Sequence, residues 1–242
     1  MIWGDNMTYE EKALEELNSW KKTINKKPTL FETSSKGIQN RINNLLPDKF
    51  HEIITTAIKN FTKTLIYGSS LVTKDPLKGL TLEERENLVK EKTKTYQTTA
   101  IIEGAATGAG GILMGLADFP LLLSIKIKYL YDVATIYGFD ITDYKERLYL
   151  LHIFQLAFSS QEHKQKVFKT MEDWESYCDT LPSDLNDFDW KSFQQEYRDY
   201  IDVAKLLQLI PGIGAVVGGV VNNNLMKKLS ETAIESYRIR VL

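Results

Sequence analysis

The chain predicts an all-α fold: a single helical domain with two glycine-rich apolar helical hairpins. Three observations carry that expectation. Apolar residues recur at steps of three and four, Ser, Thr and Asp stand where helices should start, and no alternation of apolar and polar residues persists at strand spacing. With 242 residues and 43% hydrophobic content, there is enough apolar side chain for one large core. No solenoid repeat or long Pro- or Ser-rich linker divides the chain. Residues 1–80, read as N-terminal amphipathic helices, therefore continue into a helical core at 81–242.

Taken in order, Tyr9, Ala13, Leu14, Leu17, Trp20 and Ile24 share one face of a first helix, with Lys21, Lys22, Lys26 and Lys27 clustered at its end. The lysines complement the C-terminal dipole, and beside Trp20 they also suit an anionic membrane surface. Pro47 and Asp48 open a second stripe, Phe50, Ile53, Ile54, Ala57, Ile58, Phe61, Leu65 and Ile66, ended by Gly68. After a loop through Asp75-Pro76 and Gly79, Thr81 and Glu84 match a capping box that starts a helix from Leu82 to about Ile102. A helix over Pro120–Tyr137 follows, capped by Asp118 and closed by Gly138. Thr142 or Asp143 opens the next, through Phe158, and Ser159 with Glu162 forms a second capping box. Val167, Phe168, Met171 and Trp174 lie on the buried side of the helix it starts. Leu181 to Asp184 is a loop, and helical spacing resumes from Phe188 to Leu209.

Nine of the 14 glycines fall in two places: Gly104, Gly108, Gly110, Gly111 and Gly115, then Gly212, Gly214, Gly218 and Gly219. Gly costs about 1 kcal/mol relative to Ala inside a helix, so such density demands compensation. The Gly-x-x-x-Gly steps Gly104–Gly108, Gly111–Gly115 and Gly214–Gly218 supply it by letting another helix approach closely, in a core or in lipid. The segment 104–125 is about 33 Å long as a helix, but Asp118-Phe119-Pro120 interrupts it and reads as the turn of a hairpin. The segment 206–221 contains Gln208 and Pro211 and is short for a crossing. Hairpins buried in a helical core lead, ahead of hairpins on a membrane and of true spans. Leu113, Met114, Val216 and Val217 are the apolar residues that would meet lipid or a partner.

Net charge is −2, which with no recognisable motif argues against nucleic-acid binding. Residues 139–202 carry 14 acidic and 7 basic side chains. That region reads as solvated acidic helices, with a basic protein partner as the alternative. A lone Cys178 excludes an intramolecular disulfide and fits a reducing compartment. Met1 to Glu16 lacks the basic start and apolar core of a secretory leader, and together these predict a cytoplasmic protein.

No phosphate-cradling Gly-x-x-x-x-Gly-Lys-Ser/Thr, Gly-x-Ser-x-Gly or His-Glu-x-x-His segment occurs, and His51, His152 and His163 are scattered. Gly212-Ile213-Gly214-Ala215-Val216-Val217-Gly218 resembles a dinucleotide turn, but Pro211 precedes it and no βαβ pattern surrounds it. No cofactor or metal is expected. The remaining candidates are ionisable residues in apolar or flanking positions: Glu103, Asp118, Arg147, His152, Glu196 and Arg198. Pairing of Glu103 or Asp118 with Arg147 or Arg198 is the structural expectation, and an inter-helix hydrolytic site is its rival.

The segments Glu103-Gly104-Ala105-Ala106-Thr107-Gly108, Ala117-Asp118-Phe119-Pro120, Tyr137-Gly138-Phe139-Asp140 and Pro211-Gly212-Ile213-Gly214 with Asn222 resemble the EcsC family, over nearly the whole chain. The resemblance implies a protein of unassigned activity that accompanies the ATPase and membrane subunits of an ABC transporter. From it follow the expected partners, transporter subunits and membrane lipid, and a peripheral place at the inner face of the cell membrane. An accessory, non-enzymatic role is the leading expectation. An uncharacterised hydrolase and a soluble helical protein-binding scaffold are the alternatives.

Overall fold

The computed structural model describes residues 7–26, 48–67, 75–108, 111–189, 191–193 and 218–242, with the side chains at 48–51, 53–54, 100–119, 162 and 218–222 set aside. Their regular elements are helices joined by short loops, with no strand among the described residues. Helix α1, Tyr9–Ile24, starts on a full capping box in which the Thr8 hydroxyl accepts from Glu11 N and the Glu11 carboxylate accepts from Thr8 N. It buries Ala13, Leu17 and Ile24. Trp20 packs edge-on to Phe168, and Lys21 pairs with Glu172 at 3.0 Å, so this end of α1 lies on protein. Helix α2, Asp48–Tyr67, buries the expected stripe Ala57, Ile58, Phe61, Leu65 and Ile66.

Helix α3, Leu82–Gly108, starts on the expected Thr81–Glu84 box and runs about two turns past Ile102. Helix α4, Gly111–Tyr137, corrects two expectations: Asp118 is not its cap and Pro120 is not in its first turn, since both lie inside it. Nor is Asp118-Phe119-Pro120 the corner of a hairpin. Helix α3, ending at Gly108, and helix α4, starting at Gly111, run antiparallel, as the pairing of Arg85 with Tyr137 and of Thr93 with Tyr129 shows. A proline inside a helix removes one backbone bond and costs about 3 kcal/mol. Burial of Leu122, Leu123, Ile127, Leu130, Val133 and Ala134 on the turns that follow offsets it.

Helix α5, Tyr144–Phe158, is capped by Asp143 and is buried along nearly its whole length. Helix α6, Gln161–Glu172, is capped at Ser160, one residue after the expected Ser159, and that cap makes no side-chain bond to the first turn. The Ser160 hydroxyl instead meets His163 Nδ1 at 3.0 Å. Helix α7, Trp174–Asp179, follows a break at Asp173, so Trp174 continues the buried side of α6 from a separate helix. Phe188 closes a 3-10 turn, Leu185–Asp187, rather than opening a helix. Residues 191–193 are helical, and the rest of the stretch to Leu209 lies outside the described residues. Helix α8, Gly218–Val241, ends the chain.

Helix α3 packs between α8 and α4 and runs antiparallel to both. Helix α2 covers α4 and α5, while α1 bridges α8, α3 and α6. The Thr93 hydroxyl ties the three central helices together, 3.0 Å from Tyr129 OH and 2.8 Å from Ser230 Oγ. The core is rich in tyrosine, with Tyr129, Tyr137, Tyr149 and Tyr237 wholly enclosed.

Candidate functional site

Two of the six candidate residues have described side chains. Arg147 sits in the first turn of α5 and folds back on the preceding loop, where Nη1 donates to Ile141 O at 2.6 Å and Thr142 O at 2.7 Å. Burial lowers its pKa, partly offset by Tyr131, Asp143 and Asp140. Among the described residues no carboxylate comes within ion-pair distance of it. His152 is also buried, with Nδ1 2.8 Å from Leu148 O. Its ring packs against Trp174, Tyr177 and Phe193. Burial pushes its pKa down to about 4 against the pull of that backbone bond, so it is neutral at pH 7. Arg147 and His152 thus serve different neighbourhoods.

The backbones at Glu103 and Asp118 are helical, in α3 and α4, while Glu196 and Arg198 lie outside the described residues. Gly104 and Gly108 belong to the last turns of α3, Gly111 and Gly115 to the first turns of α4, and Gly218 opens α8. Leu113 and Met114 fall in α4 with undescribed side chains, and Gly214, Val216 and Val217 lie outside the described residues. In the acidic region, Asp173, Glu175, Asp179, Asp184 and Asp187 are exposed, as solvated acidic helices should be.

The buried charges that organise the molecule are others. Arg238, on α8, makes a two-pronged pair with Glu86 of α3, Nε to Oε1 and Nη2 to Oε2, each at 2.7 Å, with Glu86 fully enclosed. Its Nη1 is shared by Glu16 of α1 at 2.8 Å and Glu235 at 2.9 Å, while Tyr9 OH donates to Glu86 Oε2. Burial opposes the guanidinium charge, yet the bonds from Glu86 and the charges of Glu235 and Glu86 raise its pKa further. Three carboxylates around one guanidinium leave a surplus of negative charge, and Glu235 Oε2 is buried without a hydrogen-bond partner among the described residues. Burial raises the Glu235 pKa to about 7, with Arg238 pulling it down and Glu16 and Glu86 pushing it up. A second pair joins Arg240 to Glu146 at 2.5 Å, with Tyr237 OH on the other Glu146 oxygen and the guanidinium lying over Phe139 and Tyr149. Glu86 could have been found from sequence, because it occupies the Leu82, Val89, Thr93 stripe that α3 buries. Arg238 and Arg240 carry no such signal, since basic residues are ordinary in a last helical turn.

One open feature of the described surface is a cleft of about 420 Å³ between α3 and α4, edged by the loop before α3. Leu77, Leu88, Thr135 and Ile136 line it together with Glu91, Lys92, Thr95 and Asp132. Among the described residues, no group of His, Cys, Asp and Glu is placed to hold a metal ion, and no helix is long and apolar enough to cross a membrane.

The described residues form a helical domain whose buried charges are drawn into ion pairs and which carries an open cleft with both apolar and charged walls. Comparison with known proteins defines the family: a profile described as the EcsC protein family matches residues 11–242. The chain is 43% identical over 237 residues to Protein EcsC of Bacillus subtilis (strain 168), covering 98% of each chain. It is 29% identical over 149 residues to the Uncharacterized protein YdbA of the same organism, covering 61% of this chain and 54% of that one. The chain belongs to the EcsC family. No solved structure matches it.

Proposed function

We propose that the chain is a non-enzymatic accessory protein working by contact, at the cytoplasmic face of the cell membrane beside an ABC transporter. Family membership supports the setting. The observation that carries the non-enzymatic reading is how Arg147 and His152 are used: one is spent on two loop carbonyls, and the other is held neutral inside an aromatic enclosure. Neither lines the cleft between α3 and α4, and among the described residues neither presents its charge or proton to a substrate-sized opening, as acid–base chemistry requires.

In this reading the glycine-rich segments supply the contact. Gly104, Gly108, Gly111 and Gly115 flank the α3–α4 reversal, where small residues let another helix or lipid approach the backbone. The second segment, 206–221, acts likewise. Fractionation of the native protein in low salt, flotation with anionic liposomes, and capture with tagged transporter subunits test the proposal. Membrane association and co-capture are the expected results. A chain that stays wholly in the soluble fraction, ignores anionic liposomes and is not captured refutes it.

A further inference from the structure

Leu88, Glu91 and Lys92 stand at i, i+3 and i+4 on α3, and Asp132 and Ile136 at i and i+4 on α4, so each helix turns one face into the same cleft. Its volume, about 420 Å³, suits a small molecule. The cleft is pre-formed. Leu77 N donates to Thr135 O at 2.9 Å, and the backbone at Gly138, at φ +90°, lies so close that an added Cβ would come within 3.0 Å of Leu77 O. This bond holds the Leu77 side chain at the mouth, 38% exposed, where a ligand's apolar body would take it out of water.

The charges decide which ligand. Asp132 Oδ2 accepts from Tyr96 OH at 2.9 Å and lies 3.6 Å from Lys92 Nζ, whereas Oδ1 has no donor among the described residues. The Asp132 side chain is only 17% exposed, so a neutral apolar ligand would strip water from that oxygen without replacing its hydrogen bond. Glu91, exposed on the same wall, adds a second carboxylate, against the single ammonium of Lys92. An anionic ligand would face both carboxylates. A ligand ammonium would meet Asp132 Oδ1 while its hydrocarbon covers Leu88, Ile136 and Leu77.

We propose that this cleft is a binding site for a small aliphatic amine, with the ammonium on Asp132 and Glu91 and the stem along the apolar floor. The site stands independently of the transporter setting. Its test is an NMR titration of the full chain, following methyl signals, with hexylamine and with hexanol and hexanoate as probes of matched length. Hexylamine should shift Leu77, Leu88 and Ile136 with a dissociation constant on the order of 1 mM, about fivefold tighter than hexanol, with hexanoate weakest. Asp132→Asn should weaken hexylamine about fivefold and leave hexanol unchanged. Glu91→Gln, at an exposed position that leaves the fold intact, should do so to a smaller extent. Hexanol or hexanoate binding as tightly as hexylamine, shifts centred elsewhere, or no shift at probe concentrations of about 20 mM would each overturn the assignment.

Discussion

Replacing Glu235 by Gln should stabilise the protein at pH 8 and leave it nearly unchanged below pH 5. Glu235 shares Arg238 Nη1 with Glu16, sits near Glu86, and has a buried oxygen with no hydrogen-bond partner among the described residues. Its pKa is raised from 4.5 to about 7. A carboxyl whose folded pKa lies above its unfolded value favours the fold in its protonated form. That contribution is complete below about pH 4.5, declines as pH rises, and is gone above about pH 7. At about 1.4 kcal/mol per unit the full shift amounts to about 3 kcal/mol, which solvent screening at the carboxyl's exposed edge reduces to about 2 kcal/mol. Gln keeps the shape and the oxygen facing Arg238 without the charge. The variant should therefore exceed the wild type by about 2 kcal/mol at pH 8, or about 4–8 °C in Tm, converging with it toward pH 4.5. Urea melts followed by circular dichroism at pH 5, 6.5 and 8 measure the difference, and subtracting the wild-type curve removes every other titrating group. An equal or less stable variant at pH 8, or a gap that does not close in acid, would refute the surplus-charge account.

Arg238→Met strands Glu86 in a fully enclosed position and should cost about 3–5 kcal/mol in urea melts, with the double variant Glu86→Gln, Arg238→Met recovering part of the loss. Hydrogen exchange across α1 should rise in the same single variant, because the Glu16 tie goes with the guanidinium. The His152 ring should titrate near pH 4 in heteronuclear NMR spectra, and a midpoint near 6.5 would contradict its enclosure by Trp174, Tyr177 and Phe193. Gly138→Ala combines a left-handed backbone with a close approach to Leu77 O, and should destabilise by about 1–2 kcal/mol while shifting the Leu77 signals.

Much of the helical framework is legible locally. Helices α1 and α2 follow their apolar stripes, and Asp143 and the Thr81–Glu84 box mark the starts of α5 and α3, because three to four residues of periodicity and one side-chain cap are short-range physics. Asp118 and Pro120 mislead for the same reason: they have the chemistry of a helix start, and only the burial of Leu122 through Ala134 against neighbouring helices keeps α4 continuous through them. Ser159 with Glu162 has the pattern of a box, yet the chain enters α6 one residue later.

The charged groups divide along the same line. Arg147 and His152 stand out in sequence as polar residues on an apolar helix, and both are indeed buried, but their partners are backbone carbonyls and aromatic rings contributed by other segments. Glu86 and Arg238 are 152 positions apart. No local pattern joins them, because an ion pair's strength depends on distance and burial, which exist only once α8 lies along α3. The cleft has the same origin: its walls are ordinary amphipathic faces until antiparallel packing sets Asp132 opposite Lys92 and the Gly138 turn draws Leu77 to the rim. Period and capping chemistry thus place most of the helices, and the matching segments carry the family resemblance, whereas charge neutralisation and open space arise from long-range packing.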